Sequence, residues 1–365
     1  MKKIVVFQIV THFDLGGAEK IAVNLCSSRD ERFCFHIIEV ARGKGEFHSR
    51  FMKDLSDRRI FFHQSLLSNN KIGIILFPIR LLILVLKYRP AIIHSHTEVP
   101  DFGVFLFHSI FGWVFQKISY VRTLHNTQLW NHWRFIGKRV ERFFIKYHAN
   151  IAISSSVLEA YKKNYGERPP LIYNGVEEVE QRPFEVLNPE RTNILFAGRL
   201  EYPKGIDVLM KVITEVENNG NIDFWIIGSG SLYGSIRDSL PQLQHVHYYP
   251  KLFGLQNYLA SFDYLFMPSY FEGLALMSIE ASMAGVPTII NDCPGLSDTL
   301  PQDWPLKVKN NDIGQFVRIM TSLDSFDRIS LGNIARLISK DHFSIDKMQT
   351  EYIRFYYSLL PIESL

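Results

Sequence analysis

The sequence predicts an α/β protein of two domains, each a parallel β-sheet flanked by helices. Short apolar runs alternate with longer segments of helical periodicity in the first half of the chain, a pattern typical of such sheets. The stretch 177–193, EEVEQRPFEVLNPERTN, is polar and aperiodic, which indicates a linker. The alternation resumes after it. A chain of 365 residues is long enough for two separate cores.

The elements are predicted from runs that end in glycine, histidine or polar residues. First-domain strands are expected at Ile4–Val10, Phe35–Val40, Arg59–Phe62, Ala91–His94, Tyr120–Leu124, Ile151–Ile153 and Leu171–Tyr173. Second-domain strands are expected at Ile194–Ala197, Asp223–Ile227, His245–Tyr249, Tyr264–Met267 and Thr288–Asn291, with helices near 207–217 and 232–240. We place the first domain at 1–180, the second at 181–345, and at 346–365 a C-terminal helix that packs back on the first domain.

Charge is unevenly distributed between the two halves. Residues 1–180 hold 25 Lys and Arg against 16 Asp and Glu, a net charge of +9, whereas the remainder holds 15 against 21, a net charge of −6. A basic first half favours an anionic surface or ligand as its partner. The 47% hydrophobic content excludes a disordered chain.

Cysteine usage and hydropathy indicate the compartment. Cys26, Cys34 and Cys293 form no CxxC pair, which fits a reducing cytoplasm. The start MKKIVVFQIV has a short apolar run and no cleavage site, so it predicts a first strand instead of a signal peptide. The apolar stretches 72–86 and 102–118 are interrupted by polar residues, so no transmembrane span is expected.

Two glutamates, Glu272 and Glu280, lie eight positions apart in SYFEGLALMSIEASMAGVP. Glu272 is expected in a loop at the carboxyl end of a strand, and Glu280 within the following helix. A carboxylate in an apolar helix is costly to bury without hydrogen-bond donors, and sugar and ribose hydroxyls are suitable donors. The alternative is a buried structural helix with one capping and one partly exposed glutamate.

Three glycine-containing strand ends could receive an anion. The segment FAGRLEYPKGID carries Arg199 and Lys204 before a helix, which suits a diphosphate clamp, or else a surface loop with two solvated charges. Gly16 and Gly17 open a helix after the first strand, where backbone amides can meet an anion. IGSG at 227–230 ends another strand with glycines that allow close backbone approach, or else it forms only a turn.

Histidines follow two predicted strands of the first domain. His94, His96 and His125 lie at or just beyond strand ends, but no carboxylate or cysteine completes a metal-ligand set, and the chain has no Asp-x-Asp motif. We therefore expect no metal site. His94 is taken as structural, and His125 as a contact to a sugar hydroxyl.

The segment from Trp130 to Tyr147, WNHWRFIGKRVERFFIKY, predicts a basic helix. Its cations recur every four residues on one face, and its aromatic residues have helical spacing. This pattern suits an anionic membrane surface, or alternatively a helix packed on its own domain with a solvated basic face. Nucleic acid is not expected as a partner, because no DNA- or RNA-binding motif is present.

The order of these motifs resembles the GT4-type, group 1 retaining glycosyltransferases of bacterial surface polysaccharide synthesis. The resemblance covers almost the whole chain, and its motifs are GGAE (16–19), His-x-His (94–96), TLHNT, YNGV (173–176), GRL…KG, IGSG and Glu-x7-Glu. It implies the GT-B fold, in which two Rossmann-like domains face each other across a cleft. It also implies a nucleotide-sugar co-substrate, a UDP- or GDP-sugar, and no other cofactor.

The resemblance implies roles for individual residues. Arg199 and Lys204 neutralise the donor diphosphate, His125 contacts the donor sugar, Glu272 holds its hydroxyls, and Glu280 binds the ribose. The remaining donor-binding positions are backbone contacts, at Gly16, Gly17, Gly228, Gly230, Leu274, Ala275 and Leu276. Ser154 lies in the ISSS segment, which follows a strand in this family.

The sequence departs from the family pattern at two places. The usual GFGL is here Gly273-Leu274-Ala275-Leu276, which narrows the space beside the diphosphate. Pro250 stands where a glycine is usual, so one backbone amide near the base is lost and the base itself stays open.

The resulting expectation is a retaining, metal-independent glycosyltransferase whose acceptor is a lipid-linked glycan. We expect it to lie peripherally on the cytoplasmic face of the inner membrane, attached to the anionic surface by its basic N-terminal domain, in O-antigen or capsule synthesis. The alternatives are a UDP-sugar 2-epimerase of the same fold, or a non-catalytic membrane-peripheral scaffold.

Overall fold

The computed structural model describes residues 3–14, 16–130, 133–217 and 221–360. The chain divides into two compact units. Unit 1 comprises residues 1–175 together with 345–365, and unit 2 comprises residues 176–344.

Unit 1 is built on a six-stranded sheet in which every pairing is parallel. Its strands are β1 (Ile4–Val10), β2 (Phe33–Glu39), β3 (Phe61–His63), β4 (Ile92–His96), β5 (Ser119–Leu124) and β6 (Asn150–Ala152), in the spatial order β3-β2-β1-β4-β5-β6. Its helices are α1 (Gly17–Cys26), α2 (Gly45–Asp57), α3 (Asn70–Tyr88), α4 (Glu98–Phe111), α5 (Arg134–Lys146) and α6 (Ser155–Tyr165).

The strand order fixes which face of the sheet each helix covers. The chain moves outward from β1 to β3, returns to β4, and then moves outward in the opposite direction. Because parallel crossovers are right-handed, α3, α4 and α5 lie on one face. Their buried side chains accordingly share one core, whereas those of α1 and α2 belong to another.

The C-terminal helix α12 (Ile345–Ser358) is also part of unit 1. It packs against α1 and buries Met348, Tyr352 and Tyr356. Residues 361–365 of the predicted terminal helix lie outside the described residues.

Unit 2 repeats the architecture with a second parallel sheet. Its strands are β7 (Thr192–Ala197), β8 (Ile222–Ile227), β9 (Val246–Tyr249), β10 (Tyr264–Met267), β11 (Thr288–Asn291) and β12 (Lys307–Val308), in the order β12-β11-β10-β7-β8-β9. Its helices are α7 (Ile206–Val216), α8 (Tyr233–Ile236), α9 (Leu276–Met283), α10 (Ile313–Thr321) and α11 (Arg328–His342). The predicted α/β class with two Rossmann-like halves is confirmed.

Two predicted elements were wrong. Leu171–Tyr173 forms no strand but a single bridge from Leu171 to Ala152 at the edge strand β6. Pro169 and Pro170, directly before it, have no amide hydrogen for a longer ladder. The helix expected over 232–240 is reduced to the single turn of α8, and a short 3₁₀ turn at Leu240–Gln242, which contains Pro241, follows it. Pro241 has no amide hydrogen and disfavours α-helical backbone at the residue before it, so the apolar residues there pack as irregular structure.

The described residues contain no helix that combines the length and the apolar content needed to cross a bilayer.

Candidate functional site

The predicted donor residues of unit 2 follow three neighbouring strands. β10, β7 and β8 are adjacent and parallel, so their carboxyl ends meet at one edge of the sheet. The segments that follow them are 268–275, 198–205 and 228–232. In parallel α/β sheets ligands bind at this edge.

The closest functional pair at this edge is Lys204 and Glu272. The Lys204 ammonium donates to Glu272 Oε1 at 2.6 Å, and the Ser269 hydroxyl donates to the same oxygen at 2.8 Å. The two charged side chains are mostly buried, at 20% and 11% exposure. A charge-assisted contact of this length holds both groups in one geometry.

The loop that carries Glu272 is braced by the loop after β11, which sequence reasoning missed. The Glu272 amide donates to the Pro294 carbonyl, and the Asn291 side chain donates to the Ser269 carbonyl. A Cβ on Gly295 would lie 2.2 Å from the Glu272 carbonyl oxygen, so only glycine fits there. The Pro-Gly dipeptide at 294–295 is the signal that could have located this contact.

Arg199 directly follows Gly198 after β7, and its side chain is exposed. Among the described residues its guanidinium has no hydrogen-bond or ion-pair partner, in contrast to the Lys204 ammonium, and Glu201 interacts with it only electrostatically. The charge of Arg199 is therefore available to an anion at this edge.

Gly228 and Gly230 have a packing role that the sequence did not separate from ligand binding. A Cβ on Gly228 would lie 1.8 Å from the Gly198 carbonyl oxygen, and one on Gly230 would lie 2.3 Å from that of Leu200. Both glycines therefore let the loops after β7 and β8 pack backbone against backbone.

Two of the three backbone amides at 274–276 that are predicted to bind the donor already make hydrogen bonds within the chain. The Ala275 amide donates to the Gly295 carbonyl at 3.0 Å, and the Leu276 amide donates to the Leu274 carbonyl at 2.9 Å. Of the three, only the Leu274 amide makes no hydrogen bond to a described residue. The Ala275 amide is occupied by the loop after β11, and the Leu276 amide by a contact within its own segment, where α9 begins.

Glu280 lies in α9 and is half-buried, as expected from its position in an apolar helix. Pro250 directly follows β9 and is exposed, so the departure from the usual glycine falls at the end of an edge strand.

In unit 1, Gly16 and Gly17 form the start of α1 after β1. Gly16 is the N-cap residue and provides no side-chain cap, which leaves the helix N-terminus to other acceptors. Glu19 folds back over Gly16, since a Cβ there would lie 2.1 Å from Glu19 Oε2. Burial raises the pKa of the Glu19 carboxyl to about 7. Sequence reasoning gave Glu19 no role, although it closes the GGAE motif.

Glu39, a second residue that was missed, organises the loop ahead of Gly16. This fully buried carboxylate accepts hydrogen bonds from the backbone amides of Phe13, Gly43 and Ser65 at 2.8, 3.2 and 2.9 Å. These amides belong to the loops after β1, β2 and β3, so one side chain ties three loops together.

His125 directly follows β5 and is half-buried. Its Nε2 lies 3.2 Å from His96 Nδ1, and His96 Nε2 lies 2.7 Å from Gln8 Oε1. Burial lowers the pKa of His125 to about 3 and that of His96 well below its ordinary value, so both rings are neutral. Because the Gln8 oxygen can only accept, His96 donates from Nε2 and accepts at Nδ1, and His125 donates from Nε2.

The hydrogen bonds continue from Gln8 into the C-terminal helix. The Gln8 amide donates to the Tyr356 hydroxyl at 2.9 Å, and that hydroxyl donates to His94 Nδ1 at 2.7 Å. His94 Nε2 contacts Thr123 Oγ1 at 2.7 Å, which contacts the Tyr352 hydroxyl at 2.9 Å. This His125 chain, as we call it, runs in one direction from His125 to Tyr352. His94, predicted to be structural, lies in the middle of this chain, between Tyr356 and Thr123.

Thr97, between β4 and α4, has an unusual backbone conformation. Its φ of 75° and ψ of 165° belong to a region that β-branched residues rarely adopt. Its hydroxyl lies 3.0 Å from the hydroxyl of Thr11, which follows β1. Strained residues cluster at functional sites, and nothing in the sequence marked this one.

The predicted basic helix is shorter than expected. α5 begins at Arg134, and Asn131 and His132 lie outside the described residues. Trp130 is not part of it: its φ is 60°, and its buried indole donates to Glu141 Oε1 at 2.6 Å. Within α5 the inner side chains Val140, Phe143 and Phe144 are buried, while the basic residues Arg134, Lys138, Arg139, Arg142 and Lys146 are exposed.

A buried cluster of charged residues joins α5 to strand β5 of the sheet. Arg122 on β5 is fully buried and donates to both oxygens of Glu141 at 2.7 Å, while Asp101 lies 3.7 Å away. Since the paired donors of Arg122 face Glu141, burial dominates at Asp101 and raises the pKa of its carboxyl to about 8. The cluster is structural and lies outside the predicted site.

One other position singled out in the sequence, Ser154, has a clear local role. Ser154 caps α6 by accepting a hydrogen bond from the Val157 amide, a structural explanation for its presence. No group of three or more His, Cys, Asp or Glu side chains among the described residues is arranged to hold a metal ion.

Comparison with known proteins identifies the two halves separately. The family model for Glycosyltransferase Family 4 matches residues 15–179, and that for Glycosyl transferases group 1 matches residues 191–324. Together these matches account for most of the chain.

Individual relatives are similar at low identity. An uncharacterized 41.2 kDa protein of the Klebsiella pneumoniae cps region is 27% identical over 308 residues, covering 76% of this chain and 82% of that protein. The Escherichia coli O-antigen biosynthesis glycosyltransferase WbnH is 27% identical over 154 residues, covering 42% of this chain and 44% of WbnH.

Among solved structures, Anabaena HepE in complex with UDP and glucose superposes with a TM-score of 0.79 at 13% identity. The match covers 97% of this chain and 100% of HepE. It confirms the fold expected from the resemblance. The chain is a GT4-type, group 1 glycosyltransferase with the GT-B fold.

Proposed function

We propose that this glycosyltransferase moves a sugar from a UDP- or GDP-sugar to a hydroxyl of a lipid-linked glycan, with retention of configuration and without a metal. The setting is bacterial surface polysaccharide assembly, O-antigen or capsule, at the cytoplasmic face of the inner membrane. The O-antigen and cps-region relatives support this setting, and the complexes of HepE with UDP and UDP-glucose support the donor class.

The observation that carries the proposal is the Lys204–Glu272 pair, together with Arg199, which lies in the same segment after β7 as Lys204. A leaving nucleoside diphosphate develops negative charge, which preorganised cations stabilise in the transition state. Lys204 is held at a fixed position by Glu272, and the exposed Arg199 supplies a second cation. Glu272 in turn offers its other oxygen to sugar hydroxyls.

The same contact argues against a covalent mechanism through Glu272. One of its oxygens already accepts hydrogen bonds from Lys204 and Ser269, which lowers its nucleophilicity. In the proposed step the acceptor hydroxyl attacks the anomeric carbon on the face that the diphosphate leaves. The bond from that carbon to the diphosphate oxygen breaks, and the departing diphosphate takes the acceptor proton.

A thermal-shift panel tests the donor. UDP, GDP and their sugar conjugates are added to the wild type and to Lys204→Ala, with Lys211→Ala, an exposed lysine on α7, as the control. One nucleotide should raise the melting temperature of the wild type and the control, and raise that of Lys204→Ala much less, because binding to the folded state stabilises it. If no nucleoside diphosphate shifts the wild type, the proposal fails.

Product analysis separates the alternatives. Incubation of the donor without an acceptor should leave the sugar configuration unchanged, whereas a 2-epimerase would convert it. With an acceptor, the anomeric configuration of the product, read by NMR, should equal that of the donor. An inverted product would refute retention.

A further inference from the structure

The outer surface of the helix layer α3–α5 in unit 1 is unusually apolar. α4 packs against both α3 and α5, and the inner side chains of all three share one core with the sheet. Their outward sides therefore form one continuous surface, which we call the α3–α5 outer face.

α3 contributes most of its apolar area. Six aliphatic side chains on its outer side are between 43% and 69% exposed: Ile72, Ile75, Leu76, Ile79, Ile83 and Leu86. At about 100° per residue these positions fall within an arc of roughly 100°. The opposite side, with Phe77, Leu81 and Val85, is buried. A helix that is apolar on both sides needs a second apolar environment.

The neighbouring helices extend this surface. Ile110 and Trp113, at and just beyond the end of α4, are 51% and 76% exposed, and Phe135 at the start of α5 is 71% exposed. Large apolar side chains that are clustered in this way mark an interaction site, whereas single ones do not.

The charges on this face have one sign. α3 contains no Asp or Glu, and the acidic residues of α4 and α5 point inward: Asp101 and Glu141 are buried, and Glu98 accepts from the Trp130 amide. Every exposed charged residue described in the three helices is therefore basic: Lys71, Lys87, Arg134, Lys138, Arg139, Arg142 and Lys146.

We infer that the α3–α5 outer face docks on an anionic lipid leaflet, with α3 lying in the interface plane and its aliphatic side chains among the acyl chains. Aliphatic residues beside an uninterrupted set of cations match the apolar interior and the anionic headgroups of such a leaflet. A second copy of this chain fits less well, because a two-fold contact would place the cations of one copy against those of the other. The inference deepens the proposed function, on whose lipid-linked acceptor it rests.

Vesicle co-sedimentation of the 365-residue chain tests the inference. The vesicles contain phosphatidylcholine either alone or with phosphatidylglycerol. The apolar side is probed by Ile79→Gln/Ile83→Gln, and the basic side by Lys138→Gln/Arg142→Gln. The matched control is Ile329→Gln/Leu337→Gln on α11, which removes two aliphatic side chains of 69% and 70% exposure from unit 2.

The wild type and the control should bind the phosphatidylglycerol vesicles. The α3 variant should bind these vesicles at least about tenfold more weakly. The α5 variant should lose most of its preference for the anionic vesicles. Unchanged binding of the α3 variant, or no binding by the wild type, overturns the inference. So does a wild-type dimer, seen by size exclusion, that the α3 substitutions convert to a monomer.

The result is distinguishable from a failure of the proposed donor chemistry. The nucleotide-induced rise in melting temperature is measured on the same variants in the absence of vesicles. It should persist in the α3 variant. If nucleotides shift no form of the protein while vesicles still bind, the donor proposal fails and the docking surface stands.

Discussion

Lys204 and Glu272 are 68 positions apart in the sequence, yet the Lys204 ammonium lies 2.6 Å from Glu272 Oε1. The lysine precedes α7, the glutamate precedes α9, and the adjacent strands β7 and β10 bring their loops together. The cation predicted for the diphosphate and the carboxylate predicted for the sugar are thus one hydrogen-bonded unit. A ligand that engages either group must meet both.

Lys204→Ala should lower kcat/KM by about 100-fold or more, because a positioned charge at the leaving group is lost. The free energy of unfolding should fall by about 1–3 kcal/mol, because the mostly buried Glu272 loses its cationic partner and Oε1 keeps only the hydrogen bond from Ser269. Steady-state kinetics and urea unfolding measure the two effects, with Lys211→Ala as the control. Adding Glu272→Gln to Lys204→Ala should cost little more than either change alone, because groups that act as a unit are not additive. Losses that multiply would show that the two side chains act independently.

The sequence predicted the strands well where an apolar run ends in a glycine, as at Ala197–Gly198 and Ile227–Gly228. It failed at 171–173 and 232–240, where apolar residues pack without regular hydrogen bonding. The shortness of such segments makes periodicity uninformative.

Long-range pairings were the larger gap in the site. Glu39 serves three loops, and the His125 chain joins Gln8 to Tyr356 across 348 positions, so no local motif could reveal either. In α3 the apolar residues run around the whole helix, and only the fold could show which of them remain outside.

The direction of the His125 chain predicts the tautomer of His125. As placed, the Gln8 oxygen faces His96, so His125 should carry its proton on Nε2 and present Nδ1 as a hydrogen-bond acceptor. Its ring should also stay neutral between pH 5 and 8, because burial lowers its pKa to about 3. Ring ¹⁵N chemical shifts report both properties. A proton on Nδ1 would mean that the Gln8 amide is turned over and that the whole chain runs the other way.

The C-terminal helix should influence this signal. Tyr356→Phe removes the hydroxyl that joins Gln8 to His94, so the ¹⁵N shifts of His125 should move although Tyr356 does not contact it. Tyr357, one position along the same helix, is not part of the His125 chain. Tyr357→Phe should therefore leave the ¹⁵N shifts of His125 unchanged.

The buried Asp101 carboxyl predicts a stability change with pH. Its folded pKa is about 8 against an ordinary value of 3.8, so the folded state holds a proton that the unfolded state releases. The proton on Asp101 stabilises the folded state fully below pH 3.8. This contribution to the free energy of unfolding is lost as pH rises through 8, at up to ~1.4 kcal/mol per pH unit. The side chain of Asp101→Asn cannot ionise. The free energy of unfolding of this variant should therefore rise relative to that of the wild type from pH 5 to pH 8. Urea unfolding at both pH values measures this.

The matched control for that comparison is Asp303→Asn, a change at an exposed carboxylate of unit 2. It should follow the wild type across the same pH range. An Asp101→Asn variant that runs parallel to the wild type would show that Asp101 is ionised in the folded protein.

Backbone strain at Thr97 can be tested by comparing the stabilities of Thr97→Gly and Thr97→Ala, because the sign of their difference depends on the strain. At most positions alanine stabilises the folded state more than glycine does, because glycine has the larger conformational entropy in the unfolded chain. Thr97 has a φ of 75°, which glycine adopts without cost and alanine does not. Since both substitutions remove the hydroxyl contact with Thr11, that loss cancels in the comparison. Thr97→Gly should therefore be more stable than Thr97→Ala, by about 1 kcal/mol.

The same pair of substitutions at Ser109 supplies the opposite sign. Ser109 is exposed within α4, where its hydroxyl donates to the Phe105 carbonyl, and its backbone is helical. There the alanine variant should be more stable than the glycine variant by about 1 kcal/mol, which is the ordinary helix preference. Thermal or urea unfolding of the four variants gives both differences. If alanine exceeds glycine at Thr97 as well, the backbone there is unstrained, and the junction of β4 and α4 beside His96 stores no conformational energy.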